Sequence, residues 1–481
     1  MALSCVAGLA YVLAQIGLPV PKEILFGLAI GAGALGACIG LYLLAGFLQR
    51  RWPLGTLKSD RSKGEQFSFE ANSPEQIKAT IDAVYNNNPR ADVPQLVNYL
   101  VFQAVAFNSS DIHLTPHRDC LMVRYRIDGI LMDVAEISER LKQPVINRLK
   151  VLSELVSYVR DRPQDGRFGV SIQGQQIDLR ISLMPTLHGE RVVMRLLIRA
   201  DLGLGLENLG LTEEQLQTLG GILAKPQGMV ILTGPTGSGK TKTIYSALQE
   251  ILRQSQNSVS IYTLEDPIEY DLQHINQTQV EEGHDFTFGK ALRTMLRQDP
   301  DIIMVGEIRD LDTARIAIQA GMTGHLIITT VHAKSAAAVA ARLIEMGVDP
   351  HSVASAITAI IAQRLVRILC PHCKRAHPPT PGQEAKLGKK LPPGVLFYEP
   401  VGCPQCSMKG YVGRRGIFEI LEVNESVRKL ITERASSGQI HNAFFESEAK
   451  TLDENGLAYA LKGETSLEEL FRVLPSRKEF E

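Results

Sequence analysis

Apolar and polar positions divide the chain into stretches of different rhythm. From Met1 to Leu48 the only charged side chains are Lys22 and Glu23. Within that stretch, Ile24 to Leu48 is a run of 25 uncharged residues. As a helix it measures ~37 Å, enough to cross a hydrocarbon core of roughly 30 Å with some tilt. Ala2 to Val20 is a shorter apolar segment that either spans or dips into the interface, weakened by Gln15 and two glycines. With Pro19, Val20, Pro21, Lys22 and Glu23 as a turn between them, the pattern predicts a helical hairpin over residues 1–50. Gly27/Gly31 and Gly36/Gly40 are spaced for close helix packing, although glycine is also common in membrane helices. Arg50, Arg51, Lys58, Arg61 and Lys63 outnumber the one lysine of the turn, which places both termini on the cytoplasmic side. A cleaved secretory signal is the alternative, but Met-Ala-Leu-Ser has no basic leader.

Beyond the hairpin the rhythm changes twice. Residues 51–90 are polar and aperiodic, with Pro53, Gly55, Gly64 and Pro74, and read as a linker with local helix from Pro74 onward. Over 91–200, helical spacing from Val93 to Phe107 combines with strand patterns at Cys120–Ile127, Gln176–Ile181 and Glu190–Ile198, predicting an α+β domain that closes at the Gly/Leu-rich stretch Asp201–Gly210. Over 205–365, short apolar runs (Met229–Leu232, Val259–Leu264, Ile302–Val305, Leu326–Thr330) alternate with helical segments. That alternation predicts an α/β domain with a mostly parallel sheet covered by helices. Residues 366–412 form a cysteine-containing module and 413–481 a helical C-terminal part. A chain of 481 residues is too long for one core, and several units are expected at about 150 residues each.

Charge and cysteine usage narrow the class. A net charge of −1 argues against a cationic nucleic-acid binder, so no nucleic-acid partner is expected. Of seven cysteines, four stand in two Cys-x-x-Cys pairs while Cys5, Cys38 and Cys120 are scattered, which is not a secreted disulfide framework.

Gly234-Pro235-Thr236-Gly237-Ser238-Gly239-Lys240-Thr241 directly follows the apolar run ending at Thr233 and precedes a helical segment, Lys240 to Arg253. Glycines let the backbone N–H groups turn inward around a polyphosphate, Lys240 reaches the β and γ oxygens, and Thr241 can ligate Mg²⁺. ATP with Mg²⁺ is the expected ligand. Leu264-Glu-Asp-Pro-Ile-Glu-Tyr270 ends a strand with Glu265, Asp266 and Glu269, which can gather Mg²⁺ and water. Glu307 caps the apolar run Ile302–Val305 and is the candidate to orient or deprotonate the attacking water. His325 and His332 flank another strand and could sense the γ-phosphate. Cys370-Pro-His-Cys373, 29 residues and Cys403-Pro-Gln-Cys406 suit a closed, structural Zn²⁺ site. A redox pair, or His372 or His377 in place of one thiolate, is the competing reading.

With these motifs, Ser110-Asp-Ile-His-Leu, Val123-Arg-Tyr-Arg-Ile-Asp-Gly129, Arg162-Pro-Gln-Asp-Gly-Arg167, Ile177-Asp-Leu-Arg180, Gly189-Glu-Arg-Val-Val-Met-Arg195 and Gly410-Tyr-Val-Gly-Arg-Arg-Gly-Ile-Phe-Glu419 complete a resemblance. From about Asp92 to Pro475 the chain resembles the secretion ATPase family of type II secretion and type IV pilus assembly systems. The resemblance implies a RecA-like motor in a homohexameric ring, acting on an inner-membrane platform protein. It also implies that the domain before the motor supplies arginines to the phosphates, for which Arg167, Arg180 and Arg195 are the matching positions. The zinc module resembles assembly rather than retraction ATPases, and Gly306 stands where many relatives carry an acid. The hydrophobic segment is expected to take the place of the family's soluble N-terminal docking domain, with lipid contact through residues 1–48 and the motor on the cytoplasmic face of the inner membrane. A DNA-uptake or conjugation motor and a non-hydrolysing ATP-binding scaffold are the other readings.

Overall fold

The computed structural model describes residues 73–172, 175–198, 204–280, 286–388, 391–445 and 450–474. The expected membrane hairpin and most of the linker lie outside these. Among the described residues no helix is long and apolar enough to cross a membrane.

Helix α1 (Pro74–Thr80) opens on a Ser73/Gln76 capping box with proline in its first turn, and continues as a π turn, Ile81–Asn86. Helix α2 (Val93–Ala106) is capped by the Asp92 carboxylate, which accepts the Gln95 N–H. Six strands follow around helix α3 (Glu139–Leu152): β1 (Asp111–Pro116), β2 (Cys120–Ile127), β3 (Ile130–Ser138), β4 (Gln164–Ile172), β5 (Gln175–Thr186) and β6 (Gly189–Ile198). They form an antiparallel sheet in the order β3-β2-β1-β6-β5-β4. One face buries Leu114, Val123, Tyr125, Leu179, Ile181 and Met194 against Leu96, Leu100, Val145 and Leu149 of α2 and α3. The Tyr125 hydroxyl donates to the Leu100 carbonyl at 2.7 Å, so even the polar tip of that ring is satisfied. The opposite face carries the exposed alternate residues, among them Arg167, Arg180 and Arg195.

The second sheet has the order β15-β12-β7-β11-β10-β8-β9. Its strands are β7 (Gly228–Thr233), β8 (Ile261–Glu265), β9 (Asn276–Gln279), β10 (Ile302–Val305), β11 (Leu326–Thr330), β12 (Ile357–Leu369) and β15 (Tyr411–Glu422). All pair in parallel except β15, which runs antiparallel to β12 along the edge. Every residue of β7 is buried because both faces are covered. Met229 and Ile231 pack with helices α6 (Phe288–Met295), α7 (Leu311–Met322), α8 (Ala336–Glu345) and α9 (Pro350–Ala356). Val230 and Leu232 face the other way, against α4 (Glu213–Leu223) and α5 (Lys240–Gln254).

The cysteine module holds a two-stranded ribbon, β13 (Arg375–His377) with β14 (Phe397–Glu399), and helix α10 (Pro381–Leu387). Helices α11 (Glu425–Thr432), α12 (Ser437–Phe445), α13 (Leu452–Leu461) and α14 (Leu467–Val473) close the described chain. The helical C-terminal part was expected from residue 413, and the sheet domain was expected to end at 365. The two instead share the β12/β15 ladder, which runs from Ala359↔Glu422 to Leu369↔Tyr411. That pairing joins residues some 40 to 60 positions apart, and no local periodicity announces it.

Candidate functional site

The phosphate loop lies at the carboxyl end of β7, where an open parallel sheet places its ligands. Gly234 has φ of 152° and is packed on all sides. An added Cβ would meet the Gln363 carbonyl at 2.5 Å, the Ser238 hydroxyl at 2.8 Å and the Arg364 guanidinium at 3.2 Å. Gly239, in the left-handed region, sets the amino end of α5. Lys240 Nζ donates to the carbonyls of Gly234 (2.9 Å) and Pro235 (3.1 Å). Burial lowers the Lys240 pKa, while the Glu307 carboxylate acts against that shift, so the two groups share one field. The Ser238 hydroxyl is buried without a partner, and Thr241 sits in the first turn of α5. An orphaned, buried hydroxyl in this glycine-rich loop suits a polyphosphate, with Thr241 as the residue that would hold Mg²⁺.

Glu307 follows β10 and is 19% exposed. It pairs with Arg309 and lies 3.5 Å from His332 Nε2, because His332 leaves the carboxyl end of the intervening strand β11. His325 stands at the amino end of β11, its backbone carbonyl accepting the Gly228 N–H. The structure therefore brings His332, but not His325, to the phosphate end of the sheet. At Gly306 an added Cβ would stand 3.1 Å from the Leu264 carbonyl, a tight fit.

Glu265 is 3% exposed, and both its oxygens are engaged by internal donors. Oε1 accepts Thr263 Oγ1 (2.6 Å) and Gln277 Nε2 (3.0 Å), and Oε2 accepts the Tyr245 hydroxyl of α5. Here the carboxylate braces the phosphate-loop helix to β8 and β9. Asp266 is exposed. Glu269 is half-buried; burial raises its pKa, against the pull of the Arg195 and Arg180 charges.

Those arginines form a row across the first sheet. The register sets Arg126 opposite Asp111, Asp111 opposite Arg195, Arg195 opposite Arg180 and Arg180 opposite Arg167. Asp111 anchors one end, 3.1 Å from Arg195 Nε and 3.5 Å from Arg126 Nε. Arg167 and Arg180 have no ion pair among the described residues. Glu269 places the segment after β8 near this row, on the motor side.

The sulfurs of Cys370, Cys373, Cys403 and Cys406 all lie within 4.8 Å of one another. The Cys370–Cys403, Cys373–Cys406 and Cys403–Cys406 separations are 3.8, 3.9 and 3.7 Å. Disulfide sulfurs stand only ~2.05 Å apart. A tetrahedron of thiolates with Zn–S of ~2.3 Å has edges of ~3.8 Å. N–H groups of Gly402, Cys403 and Gly410 donate to these sulfurs at 3.1 to 3.3 Å, as thiolate ligands require. His377 turns instead to the Pro378 carbonyl, so the donor set is four cysteines.

Residues 86–472 match the model of the family described as type II/IV secretion system protein. The type II secretion system protein E of Aeromonas hydrophila is 42% identical over 384 residues, covering 80% of this chain and 76% of that one. The type II secretion system ATPase E of Vibrio cholerae is 41% identical over 383 residues, covering 80% and 75%. The chain belongs to this secretion-system family. Among solved structures, the pilus retraction motor PilT with bound ADP is 25% identical, with a TM-score of 0.53 over 79% of this chain and 97% of PilT.

As a secretion-family ATPase the chain has site residues that its motifs do not announce. Gln363 and Arg364 interrupt the apolar run of β12 and stand beside the phosphate loop. Gln363 donates to the Ser238 carbonyl (2.8 Å) and accepts the Thr243 hydroxyl (2.9 Å), tying the loop to α5. Two polar residues within thirteen otherwise mostly apolar positions were the available signal. Tyr245 was hidden for the opposite reason, being an aromatic residue on an amphipathic helix that reads as ordinary core.

Proposed function

We propose that this secretion-family ATPase is a Mg²⁺-dependent motor that powers assembly of a type IV pilus or a type II secretion pseudopilus. The observation that carries the reading is the placement of Lys240 and Glu307 at the carboxyl ends of β7 and β10, close enough for the charge of one to bear on the protonation of the other. Lys240 leaves the loop carbonyls to hold the β and γ oxygens, the inward N–H groups bind the phosphates, and Glu307 orients or deprotonates the attacking water. His332 and Arg309 fix the Glu307 carboxylate. Thr241 would hold Mg²⁺, which when bound would supply positive charge to the phosphate oxygens. Arg180, Arg195 and Arg167 approach as the first domain closes on the RecA-like motor and stabilise the charge spread over the transferred phosphoryl group.

The same reading makes the active particle a homohexameric ring tethered to the inner membrane by residues 1–48, with the motor on the cytoplasmic face and a platform protein as its mechanical partner. The four cysteines would hold Zn²⁺, which when bound would order the proline-rich module without a part in hydrolysis. Purified full-length chain tests the catalytic half: ATP with Mg²⁺ should be hydrolysed. Complementation tests the biological half. Cells deleted for the gene should lose pilus assembly or secretion and regain it with the wild-type chain but not with Lys240→Ala. Restoration by Lys240→Ala would reject the motor.

A further inference from the structure

Arg364, on β12, is 7% exposed and lies against the phosphate loop. Its NH1 donates to the Gln363 carbonyl and its NH2 to the Lys334 carbonyl, both at 3.0 Å. Dipoles alone hold it, and no carboxylate among the described residues reaches ion-pair distance. A buried guanidinium without a counter-charge is costly. The acid that acts on it is Glu419 of β15, 4% exposed. Glu419 stands opposite Ala362 in the ladder, diagonal to Arg364 and on the same face.

The setting of Glu419 is built for an anion. Oε2 accepts the N–H of Leu452 at 3.1 Å, and the N–H of Ala336 also donates to the carboxylate. These are the first residues of α13 and α8, so two helix amino ends point at one carboxylate. The charged groups facing it are Arg364 from β12 and Asp453 from α13, while α8 contributes only its amino end. Burial, with Asp453 adding to it, pushes Glu419 up to about 7.

We propose that Arg364 and Glu419 are a positioning pair that sets the positive field of the phosphate loop, Arg364 supplying charge to the bound polyphosphate and Glu419 holding that charge in check. The inference rests on the loop being the ATP site. While Glu419 is ionised, it partly cancels the guanidinium seen by the phosphates. When it is neutral, Arg364 acts at full strength and nucleotide binds more tightly. Removing either partner therefore shifts affinity in opposite directions, an outcome that general loss of packing does not produce.

The test measures the Kd of Mg-ADP and the KM of Mg-ATP for the full-length chain. Glu419→Gln should tighten both by roughly fivefold, the lower end of ordinary coupling between sites, and Arg364→Gln should weaken both by a similar factor. Arg364→Lys, which keeps the charge, should stay near wild type. Wild-type affinity should rise as pH falls from 8 to 6, by a margin that Glu419→Gln lacks. Weakening by both variants, or an identical pH profile in wild type and Glu419→Gln, would overturn the pair. Should Glu419→Gln fail to melt cooperatively, the profile of Arg364→Gln against Arg364→Lys decides, since only the former should lose the extra margin; equal profiles overturn it. Normal nucleotide binding by Lys240→Ala would instead reject the loop as the ATP site.

Discussion

Lys150 of α3 and Glu190 of β6 bury a complete ion pair, with Nζ 2.7 Å from Oε1 and side-chain exposures of 0% and 2%. Neither oxygen of Glu190 accepts a well-directed hydrogen bond, so charge and proximity alone hold the acid. Nζ also donates to the Val159 carbonyl at 2.5 Å, which ties the connection before β4 to the helix. Lys150→Met should lower the stability of the first domain by about 3–5 kcal/mol, because Glu190 is left buried and uncompensated. Urea unfolding should also show that Lys150→Met with Glu190→Leu recovers much of the loss. A double variant as unstable as the single one would refute the charge-burial account.

Glu307 and Lys240 should separate chemistry from binding. Glu307→Gln is expected to hold ATP with near wild-type affinity and to lose at least about 100-fold in kcat, the usual contribution of a positioned base. Lys240→Ala should weaken binding as well. Full turnover by Glu307→Gln, measured as phosphate release, would remove it from the reaction.

Position in the arginine row should decide the effect of its members. Arg180→Ala and Arg195→Ala should each lower kcat by on the order of 10³-fold if they reach the phosphoryl group. Arg126→Ala, on the far side of Asp111, should leave kcat unchanged. Equal losses at Arg126 and Arg180 would mean that the row only stabilises its sheet.

Metal analysis of the purified chain should find one Zn²⁺ per chain. Its removal by chelation should lower the melting temperature and make the segment between Cys373 and Cys403 sensitive to protease, while ATP still binds. Intact cysteines, no metal and unchanged melting would contradict a structural zinc site.

Deleting residues 1–50 should yield a chain that hydrolyses ATP but no longer sediments with membranes. Full-length protein washed from membranes by carbonate would exclude an integral anchor.

The sequence was most legible where the chemistry is local. The phosphate loop reads directly because strand, glycines, Lys240 and helix are contiguous, and the expected strands of the parallel sheet fall on β7, β8, β10 and β11. The first sheet was half visible: β1 carries buried Asp111 and His113, and β4 carries Gln164, Asp165, Gly166 and Arg167, so neither reads as an apolar alternation. The hydrogen bonds of Glu265 were not legible, because its partners Tyr245 and Gln277 lie 20 and 12 positions away. The row of arginines was named residue by residue, but its alignment came only from register. Arg364 had no motif to mark it and Glu419 only closed one, since their relation depends on two strands meeting across the cysteine module.

The tip of that β12/β15 ladder has a consequence for how the chain is divided. Leu369 and Tyr411 are the last paired residues on either side, and the Cys370 N–H donates to the Gly410 carbonyl. Everything between 371 and 409 hangs from a closed hairpin end whose two chains are only ~5.5 Å apart. Such a graft can be lost, lengthened or exchanged for a tight turn without parting one hydrogen bond of the motor sheet. What a replacement turn would have to make good is packing, since Phe397 of the module is buried in the motor core and Lys374 donates to the Gly463 carbonyl.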